Sequence, residues 1–569
     1  MSKEIILSVN NLSVDFHTDG DVFQAVKGVS FQLFKREVLG IVGESGSGKS
    51  VTSQAIMQLV DCPPGSIRTG EILFSPPSGT VDVLKLEGED LRKLRGARIA
   101  MIFQEPMSSL NPTHRCGDQV MEAILLHNKI GKEAAKNKTL ALFEKVKLPD
   151  PNRVLKSYPH ELSGGQLQRV MIAMALSNNP DILIADEPTT ALDVTVQKEI
   201  LSIIKEVGSK FNVSTIFITH DLGVIQDLAD RVVVMRQGEV VEHGDTEEIL
   251  NSPKHPYTQG LINCRPPLDK RIAVLPTVGD FLNADRAFKP EEIPSSFYRQ
   301  SIIDIENREK ILEVDGIYKS YITRKNMWGK VVAQVEAVKD VSIQVYEGET
   351  LGIVGESGCG KSTLGRCIAG LEKIDKGNIK YKGKSITSLD RKDWVRLRRD
   401  LQIIFQDPYG SLNPRMKIGQ AILEPMEVHK IGASRKDRTE KVKELLNVVG
   451  LLVEHYDRYP HEFSGGQRQR ICIARSLSVN PAFLICDESV SALDVSVQAQ
   501  VLNLLNSLKK KYGLSLIFIS HDLSVIKHIS DHIAVMQEGK IVEYGNAEKI
   551  FHNSSSSYTR RLIDSIPGT

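Results

Sequence analysis

Apolar residues in this chain gather into short runs, and the runs come in two sets. Near the start, Ile5 to Val9 and then Leu12, Val14 and Phe16 fall among polar neighbours much as in strands with one buried face. Val38-Leu39-Gly40-Ile41-Val42, Ile182-Leu183-Ile184-Ala185 and Ser214-Thr215-Ile216-Phe217-Ile218-Thr219 are nearly continuous instead. Such runs suit strands covered on both faces, as in open parallel sheets. The second set echoes the first as Leu351-Gly352-Ile353-Val354, Phe483-Leu484-Ile485-Cys486 and Ser515-Leu516-Ile517-Phe518-Ile519-Ser520. Two α/β units are predicted, and ligands of such sheets gather at the carboxyl ends of the strands.

Chemistry follows each run. Val42 leads into Gly43-Glu44-Ser45-Gly46-Ser47-Gly48-Lys49-Ser50, and Val354 into Gly355-Glu356-Ser357-Gly358-Cys359-Gly360-Lys361-Ser362. In both, the glycines and the Ser45 or Ser357 turn let backbone N–H groups curl around phosphate oxygens. Lys49 and Lys361 bring charge to the terminal phosphates, and the Ser50 and Ser362 hydroxyls suit Mg²⁺. Downstream, Phe103-Gln104-Glu105-Pro106 returns as Phe405-Gln406-Asp407-Pro408, and each is closed by Asn-Pro. The prolines predict loops, since each biases its predecessor away from helix.

Leu162-Ser163-Gly164-Gly165-Gln166 is echoed by Phe463-Ser464-Gly465-Gly466-Gln467. The runs at 182 and 483 end in Asp186-Glu187 and Asp487-Glu488. A strand-end Asp can hold Mg²⁺ through water, and the adjoining Glu can polarise an attacking water. Ala191-Leu192-Asp193 and Ala492-Leu493-Asp494 come next, then His220-Asp221 and His521-Asp522 at the edge where phosphates would sit.

Internal repetition organises the chain. The phosphate loops are offset by 312 residues and the glutamines by 302, while the signature serines, strand-end aspartates and histidines share 301. The first half therefore carries about ten extra residues before its glutamine, and turn-rich Cys62-Pro63-Pro64-Gly65 and Ser75-Pro76-Pro77-Ser78-Gly79 are the candidates. From Cys264 through Pro294 the chain is proline-punctuated and irregular, as in a connector laid over a surface.

Composition narrows the partners. Lys plus Arg total 72 against 71 Asp plus Glu, so no bulk field draws nucleic acid, and no nucleic-acid partner is expected. Nowhere do eighteen apolar residues run together, so the chain is expected in the cytosol and any membrane role requires partners. The seven cysteines form no Cys-x-x-Cys pair and are expected to be reduced, mostly structural thiols. Cys359, inside the second phosphate loop, is expected to be exposed enough to alkylate when nucleotide is absent.

With these motifs in this order, twice, the chain resembles the ATP-binding cassette (ABC) ATPases over nearly its whole length. Within them it is similar to the ATPase subunits of dipeptide and oligopeptide importers, on the Gln104 to Pro112 segment, its partner at 406–414, and Ser252-Pro253-Lys254-His255-Pro256-Tyr257-Thr258-Gln259. From its residues alone that last stretch reads as a Pro-bounded amphipathic turn. The chain looks like a fused version, similar to ATPases of microcin C-type peptide or glutathione uptake. The resemblance implies two tandem P-loop NTPase domains, over 1–255 and 311–569, joined by an extension and linker at 256–310. Each would hold a RecA-like α/β core, an antiparallel β subdomain and an α-helical signature subdomain.

The resemblance also implies roles. Two cassettes would close head-to-tail on two ATP, with Ser464, Gly466 and Gln467 capping the ATP held by Lys49, and Ser163, Gly165 and Gln166 the ATP held by Lys361. Glu187 and Glu488 would polarise water, and His220 and His521 would hold the γ-phosphate. Asp186 and Asp487 would join Ser50 and Ser362 around Mg²⁺, which Gln104 and Gln406 would sense. Phe16 and Tyr321 would stack on adenine, although their spacings to the phosphate loops differ and Trp328 competes for the second site. Implied partners are two transmembrane permease subunits and, indirectly, an extracytoplasmic solute-binding protein, with the chain at the cytoplasmic face of the plasma membrane.

Two departures from the family pattern bear on this reading. Asp487-Glu488-Ser489-Val490 stands where the first half has Asp186-Glu187-Pro188-Thr189, which loses the proline but keeps the glutamate, so both sites are expected to hydrolyse ATP. Related importers carry a four-cysteine cluster after the cassette; only Cys264 lies there, and no iron–sulfur cluster is expected. A soluble tandem cassette ATPase acting on ribosome or DNA is the rival reading. It calls for a long charged helical linker or Cys-x-x-Cys zinc modules, and neither is present. A nucleotide-regulated scaffold without turnover sits poorly with two retained glutamates.

Overall fold

The computed structural model describes residues 4–18, 21–189, 192–283, 290–325, 331–491 and 493–566, so Ala191, Ala492 and Trp328 lie outside the described residues. Its contacts divide the chain into one unit of Met1–Ile262 with Phe281–Asp285, and another of Asn263–Asp280 with Arg286–Pro567.

In the first unit the strands are β1 (Ile5–Thr18), β2 (Asp21–Phe34), β3 (Val38–Val42), β4 (Gly65–Phe74), β5 (Val81–Asp82), β6 (Ile99–Ile102), β7 (Ile182–Asp186), β8 (Ser214–Thr219), β9 (Arg231–Arg236) and β10 (Glu239–Asp245). An antiparallel sheet runs β2-β1-β4-β5. The other runs β10-β9-β3-β8-β7-β6, parallel except for β10 at its edge. Patterning explains the difference. Val26, Val29, Phe31 and Leu33 of β2 alternate with less buried neighbours, whereas β7 and β8 are buried at every residue. Leu7, Val9, Val26 and Leu33 share one core with Leu39, Ile41, Ile184 and Ile218, so the antiparallel sheet lies over one face of the parallel one.

Between β6 and β7 the helices Cys116–His127, Lys132–Lys145, Pro151–Lys156 and Gly164–Ala175 pack on each other as a separate helical layer. The α/β class expected from the sequence is the class observed.

The second unit repeats the plan with β11 (Lys310–Lys325), β12 (Val331–Tyr346), β13 (Thr350–Val354), β14 (Lys376–Tyr381), β15 (Lys384–Ser385), β16 (Leu401–Ile404), β17 (Phe483–Asp487), β18 (Ser515–Ser520), β19 (His532–Gln537) and β20 (Lys540–Asn546). Its sheets run β12-β11-β14-β15 and β16-β17-β18-β13-β19-β20. Strand pairing locates the first half's extra residues. Phe74 pairs with Leu7 where Tyr381 pairs with Leu312, so the offset has already fallen from 312 to 307. Phe74 also pairs with Val81 where Tyr381 pairs with Lys384, which brings it to 303. The additions thus fall mainly before the middle of β4 and in the β4–β5 turn, where the two proline-rich stretches lie.

The connector is tied down rather than merely laid over a surface. Within the second unit Arg271 donates to the carbonyls of Lys527 (2.6 Å) and Ser530 (2.5 Å) at the end of helix Leu523–Ile529. Carbonyls there have no intrahelical donor, and the helix dipole favours a cation. The guanidinium lies 3.9 Å from the Tyr298 ring centroid, and the Tyr298 hydroxyl donates to the Asp531 carbonyl at 2.9 Å. Leu275 and Asn503 exchange hydrogen bonds at 2.9 and 2.8 Å. Among the described residues no helix is long and apolar enough to cross a membrane.

Arg271→Ala should destabilise the second unit by about 2 kcal/mol, the scale of charge-assisted hydrogen bonds plus a ring contact. Calorimetry should place the loss in one unfolding transition. Arg271→Lys should recover only part of it, because an ammonium has no planar face to lay on Tyr298.

Candidate functional site

Parallel pairing brings the ends of separate strands side by side. Val42 of β3 pairs with Thr219 of β8, and Ile218 pairs with Asp186 of β7; Val354, Ser520, Ile519 and Asp487 repeat this in the second unit. The chain leaving β3 and β13 forms the phosphate loops. Gly48 (φ 96°) and Gly360 (φ 107°) cap the helices Lys49–Ile56 and Lys361–Ile368 in the left-handed region. A Cβ at Gly48 would meet the Ala25 carbonyl at 2.6 Å, and one at Gly360 the Ala337 carbonyl at 2.1 Å, so neighbouring strands enforce glycine. Gly43 and Gly355 begin the loops, and Ser45-Gly46 and Ser357-Gly358 are their exposed tips.

The lysines fold back onto their own loops. Lys49 Nζ donates to the Gly43 and Glu44 carbonyls at 2.8 Å each, and Lys361 Nζ to those of Gly355 (2.7 Å) and Glu356 (2.9 Å). Cys359 corrects an expectation. It is only 7 % exposed, it packs beneath the loop with Sγ 3.9 Å from Lys361 Nζ, and burial pushes its thiol up, so ready alkylation does not follow.

Ser50 Oγ donates to Asp186 Oδ1 at 3.0 Å, and Ser362 Oγ to Asp487 Oδ1 at 2.7 Å. Burial pushes the Asp186 carboxyl up to about 6 despite the serine, and Asp487 moves in the same direction for the same reason. The next residues, Glu187 (φ 45°) and Glu488 (φ 46°), have left-handed backbones. A non-glycine residue there carries on the order of 1 kcal/mol of strain, the kind stored at functional sites. Their amides donate to Ile218 and Ile519 carbonyls at 3.0 Å, which pins the turns.

Each glutamate gathers two distant side chains. Gln104 Nε2 donates to Glu187 Oε2 at 3.0 Å, and His220 Nδ1 lies 3.2 Å from the same oxygen. In the second unit Gln406 Nε2 donates to Glu488 Oε2 at 2.7 Å, His521 Nδ1 lies 3.7 Å away, and Lys361 Nζ is 4.0 Å from Oε1. Burial opposes charge on both His220 and Glu488. For His220 the Glu187 carboxylate more than offsets it and raises the imidazole; for Glu488, His521, Lys361 and Gln406 together hold the carboxyl low. The glutamine segments differ from plain loops in one respect: Pro106–Ser109 forms a helical turn, with proline at the position that needs no N–H donor.

The signature residues stand apart from these clusters. Ser163 and Ser464 cap the helices Gly164–Ala175 and Gly465–Leu477 in reciprocal boxes with Gln166 and Gln467, at 3.1 to 3.4 Å. The Ser-x-x-Gln spacing carried that signal in the sequence. A Cβ on Gly165 would meet Val196 at 2.7 Å, and one on Gly466 would meet Val497 at 2.2 Å. Asp193 and Asp494 cap the helices bearing those valines, each accepting a backbone hydrogen bond at 2.9 Å.

Phe16 and Tyr321 take matching register positions despite their unequal spacing. Phe16 pairs with Phe23, Tyr321 with Val335, and Phe23 and Val335 share the 312 offset of the phosphate loops. The second half therefore carries seven extra residues between Tyr321 and Val335. Sequence reasoning missed Tyr257 and Tyr558, whose hydroxyls accept the Glu44 and Glu356 N–H groups at 3.0 and 3.1 Å. The available signal was Tyr-Thr recurring at the 301 offset.

Residues 26–190 and 338–491 match the family described as ABC transporter, and residues 241–285 and 542–569 match the oligopeptide/dipeptide transporter C-terminal region. The glutathione import ATP-binding protein GsiA of Pectobacterium atrosepticum is 46% identical over 569 residues, covering 100% of this chain and 90% of that protein. GsiA of Escherichia coli is 45% identical over 571 residues, covering 99% and 89%. Among solved structures, the dimeric post-hydrolysis state of the ATP-binding cassette MJ0796 with ADP and Pi aligns at a TM-score of 0.38 and 26% identity, covering 42% of this chain and 98% of that one.

The raised Asp186 carboxyl sets a pH dependence. Without nucleotide the folded state binds this proton more tightly than the unfolded chain. The contribution of Asp186 to stability is therefore fully present below the ordinary carboxylate range and is lost as pH rises through about 6. Asp186→Asn should remove that decline, leaving the variant about 1–3 kcal/mol more stable than wild type at pH 7.5 and equal to it near pH 4. Urea unfolding across that range would check it.

Proposed function

The chain belongs to the ABC transporter ATPases, and from that membership we propose that its two phosphate loops act as one pair, each completed by the signature helix of the other half. It is an ATP-hydrolysing subunit of an importer in the peptide-transport class. Residues 1–255 and 311–569 act as the cassettes, and 256–310 joins them. Action on ribosome or DNA has no support among its relatives.

One arrangement carries the mechanistic reading: a strained glutamate at a strand end, holding a glutamine and a histidine in both halves, with Lys361 of the second phosphate loop 4.0 Å from Glu488. Glu187 and Glu488 polarise the attacking water, and their backbone turns fix where it stands. His220, held toward its charged form by Glu187, and His521 contact the γ-phosphate. Lys49 and Lys361 reach the phosphates of ATP from where their loop carbonyls hold them. Phe16 and Tyr321 stack on adenine.

A hydroxyl paired with a buried carboxylate is a hard-oxygen donor set that fits Mg²⁺, so Ser50 with Asp186, and Ser362 with Asp487, would hold it, within reach of Gln104 and Gln406. Bound there, Mg²⁺ would supply charge neutralisation to the phosphates. Across the pair, Ser464, Gly466 and Gln467 meet the ATP of Lys49, and Ser163, Gly165 and Gln166 that of Lys361. A helix N-terminus is suited to that anion. ATP then holds the halves together, and hydrolysis releases them.

Membrane permease chains are the partners, two of them in this reading, together with an extracytoplasmic solute-binding protein. The chain works at the cytoplasmic face of the membrane. Phe103 (39 % exposed), Met107 (56 %) and Tyr409 (53 %) leave apolar surface beside both glutamines, which suits docking of permease helices there. The relatives' names make glutathione the first solute to try.

Glu187→Gln with Glu488→Gln should lower ATP turnover at least about 100-fold and trap an ATP-loaded state visible by small-angle scattering; brisk turnover would refute the catalytic assignment. In a Glu488→Gln background, Ser464→Ala should abolish the hydrolysis that remains while Ser163→Ala spares it. The reverse pattern would mean that the pairing is not crossed.

A further inference from the structure

We infer that Tyr257 and Tyr558, supplied by the C-terminal region of each half, are positioning residues for the phosphate-loop lysines. The inference rests on the reading of Lys49 and Lys361 as the residues that grip ATP phosphates.

The geometry concerns a single peptide group. Between Gly43 and Glu44, the N–H donates to the Tyr257 hydroxyl at 3.0 Å, and the carbonyl of the same group accepts Lys49 Nζ at 2.8 Å. The second half repeats this: the Glu356 N–H donates to the Tyr558 hydroxyl at 3.1 Å, and the Gly355 carbonyl accepts Lys361 Nζ at 2.7 Å. A peptide group is rigid and planar, so fixing its N–H edge fixes the direction of its carbonyl. Each phenol therefore sets where its lysine rests.

The tyrosines are themselves held. Tyr257 is fully buried and Tyr558 is 4 % exposed. Glu242 of β10 accepts the amides of Lys254 (2.7 Å) and His255 (3.1 Å), which anchors the entry to helix Pro256–Asn263; Glu543 of β20 accepts those of Ser555 (2.6 Å) and Ser556 (3.3 Å) before helix Ser557–Ile563. The Tyr257 amide then donates to His255 Nδ1 at 3.1 Å, and the Tyr558 amide to Ser556 Oγ at 3.2 Å. The local sequences differ, His-Pro-Tyr against Ser-Ser-Tyr, and they use different caps. Both deliver a hydroxyl to the same loop amide. Packing alone would be met by phenylalanine; the shared hydroxyl contact is what the loop requires.

This gives the C-terminal region of each half a task at the nucleotide. Without the phenol oxygen, the loop amide loses its acceptor and the peptide group is free to turn, so the lysine is no longer pre-set before ATP arrives. Glu187, His220 and their counterparts are not touched. The effect falls on nucleotide affinity, with turnover spared.

The test uses the full chain with Tyr257→Phe and Tyr558→Phe combined, which keeps both rings. KM for ATP should rise about three- to tenfold, the scale of one hydrogen bond, with kcat within about twofold and the melting temperature nearly unchanged. Lys49→Ala with Lys361→Ala is the control and should abolish ATP binding. A tyrosine double variant with wild-type KM, beside lysine variants that fail to bind, overturns the inference and leaves the ATPase reading standing. Lysine variants that still bind ATP overturn the loop reading itself. Loss of kcat and thermal stability with KM unmoved would assign the tyrosines to packing only and would also overturn it. Should the double variant fail to fold, each single variant, read by equilibrium binding of a fluorescent ATP analogue, carries the same expectation and the same refutation.

Discussion

The rest of each unit depends on the register of three parallel strands. β3, β8 and β7 are apolar enough to be buried on both faces, so they sit centrally and hydrogen-bond to each other in the same direction. Their carboxyl ends must then emerge at one edge. The phosphate loop, the Asp-Glu pair and the histidine follow those ends directly, so His220 comes to 3.2 Å from Glu187, and His521 and Lys361 to 3.7 and 4.0 Å from Glu488. Shifting one strand by two residues would keep every side chain on its face and still dismantle the site.

Around that edge, strain and burial act together. Glu187 and Glu488 hold left-handed backbones because their amides are tied to the neighbouring strand, which turns their carboxylates toward glutamine and histidine. The preceding aspartates lose solvent and take a serine hydroxyl in exchange. Charged groups set this close in a partly buried cluster are costly unless paired, and the glutamine and histidine supply the pairing, joined in the second half by Lys361.

The two halves are not interchangeable copies. Where the first sets half-buried Arg231 against buried Glu37, the second places His532 between Glu349 (2.7 Å) and Glu306 (3.1 Å), the latter on the connector helix Ser295–Glu306. The connector's Arg271 and Tyr298 close the same region of the second unit. Pro188 becomes Ser489, buried just beyond the glutamate. The second half therefore has extra ties behind the helix that follows His521, while the same glutamine, glutamate and histidine meet in both halves.

Sequence by itself determined the α/β class, the order of motifs, their duplication and the central strands, because each rests on local residue pattern: continuous apolar runs, glycines in a phosphate loop, a serine three residues before a glutamine. The ten-residue excess was also legible, as proline-rich turns. Tertiary structure alone decided which groups meet. The Gln104–Glu187 bond spans 83 residues and the Glu44–Tyr257 bond 213, and no local periodicity encodes such distances. The burial of Cys359, the docked connector and the equivalence of Phe16 with Tyr321 likewise follow from packing and strand register. Those depend on the whole sheet being assembled, where bulges and turn lengths absorb the differences that a residue count alone leaves unexplained.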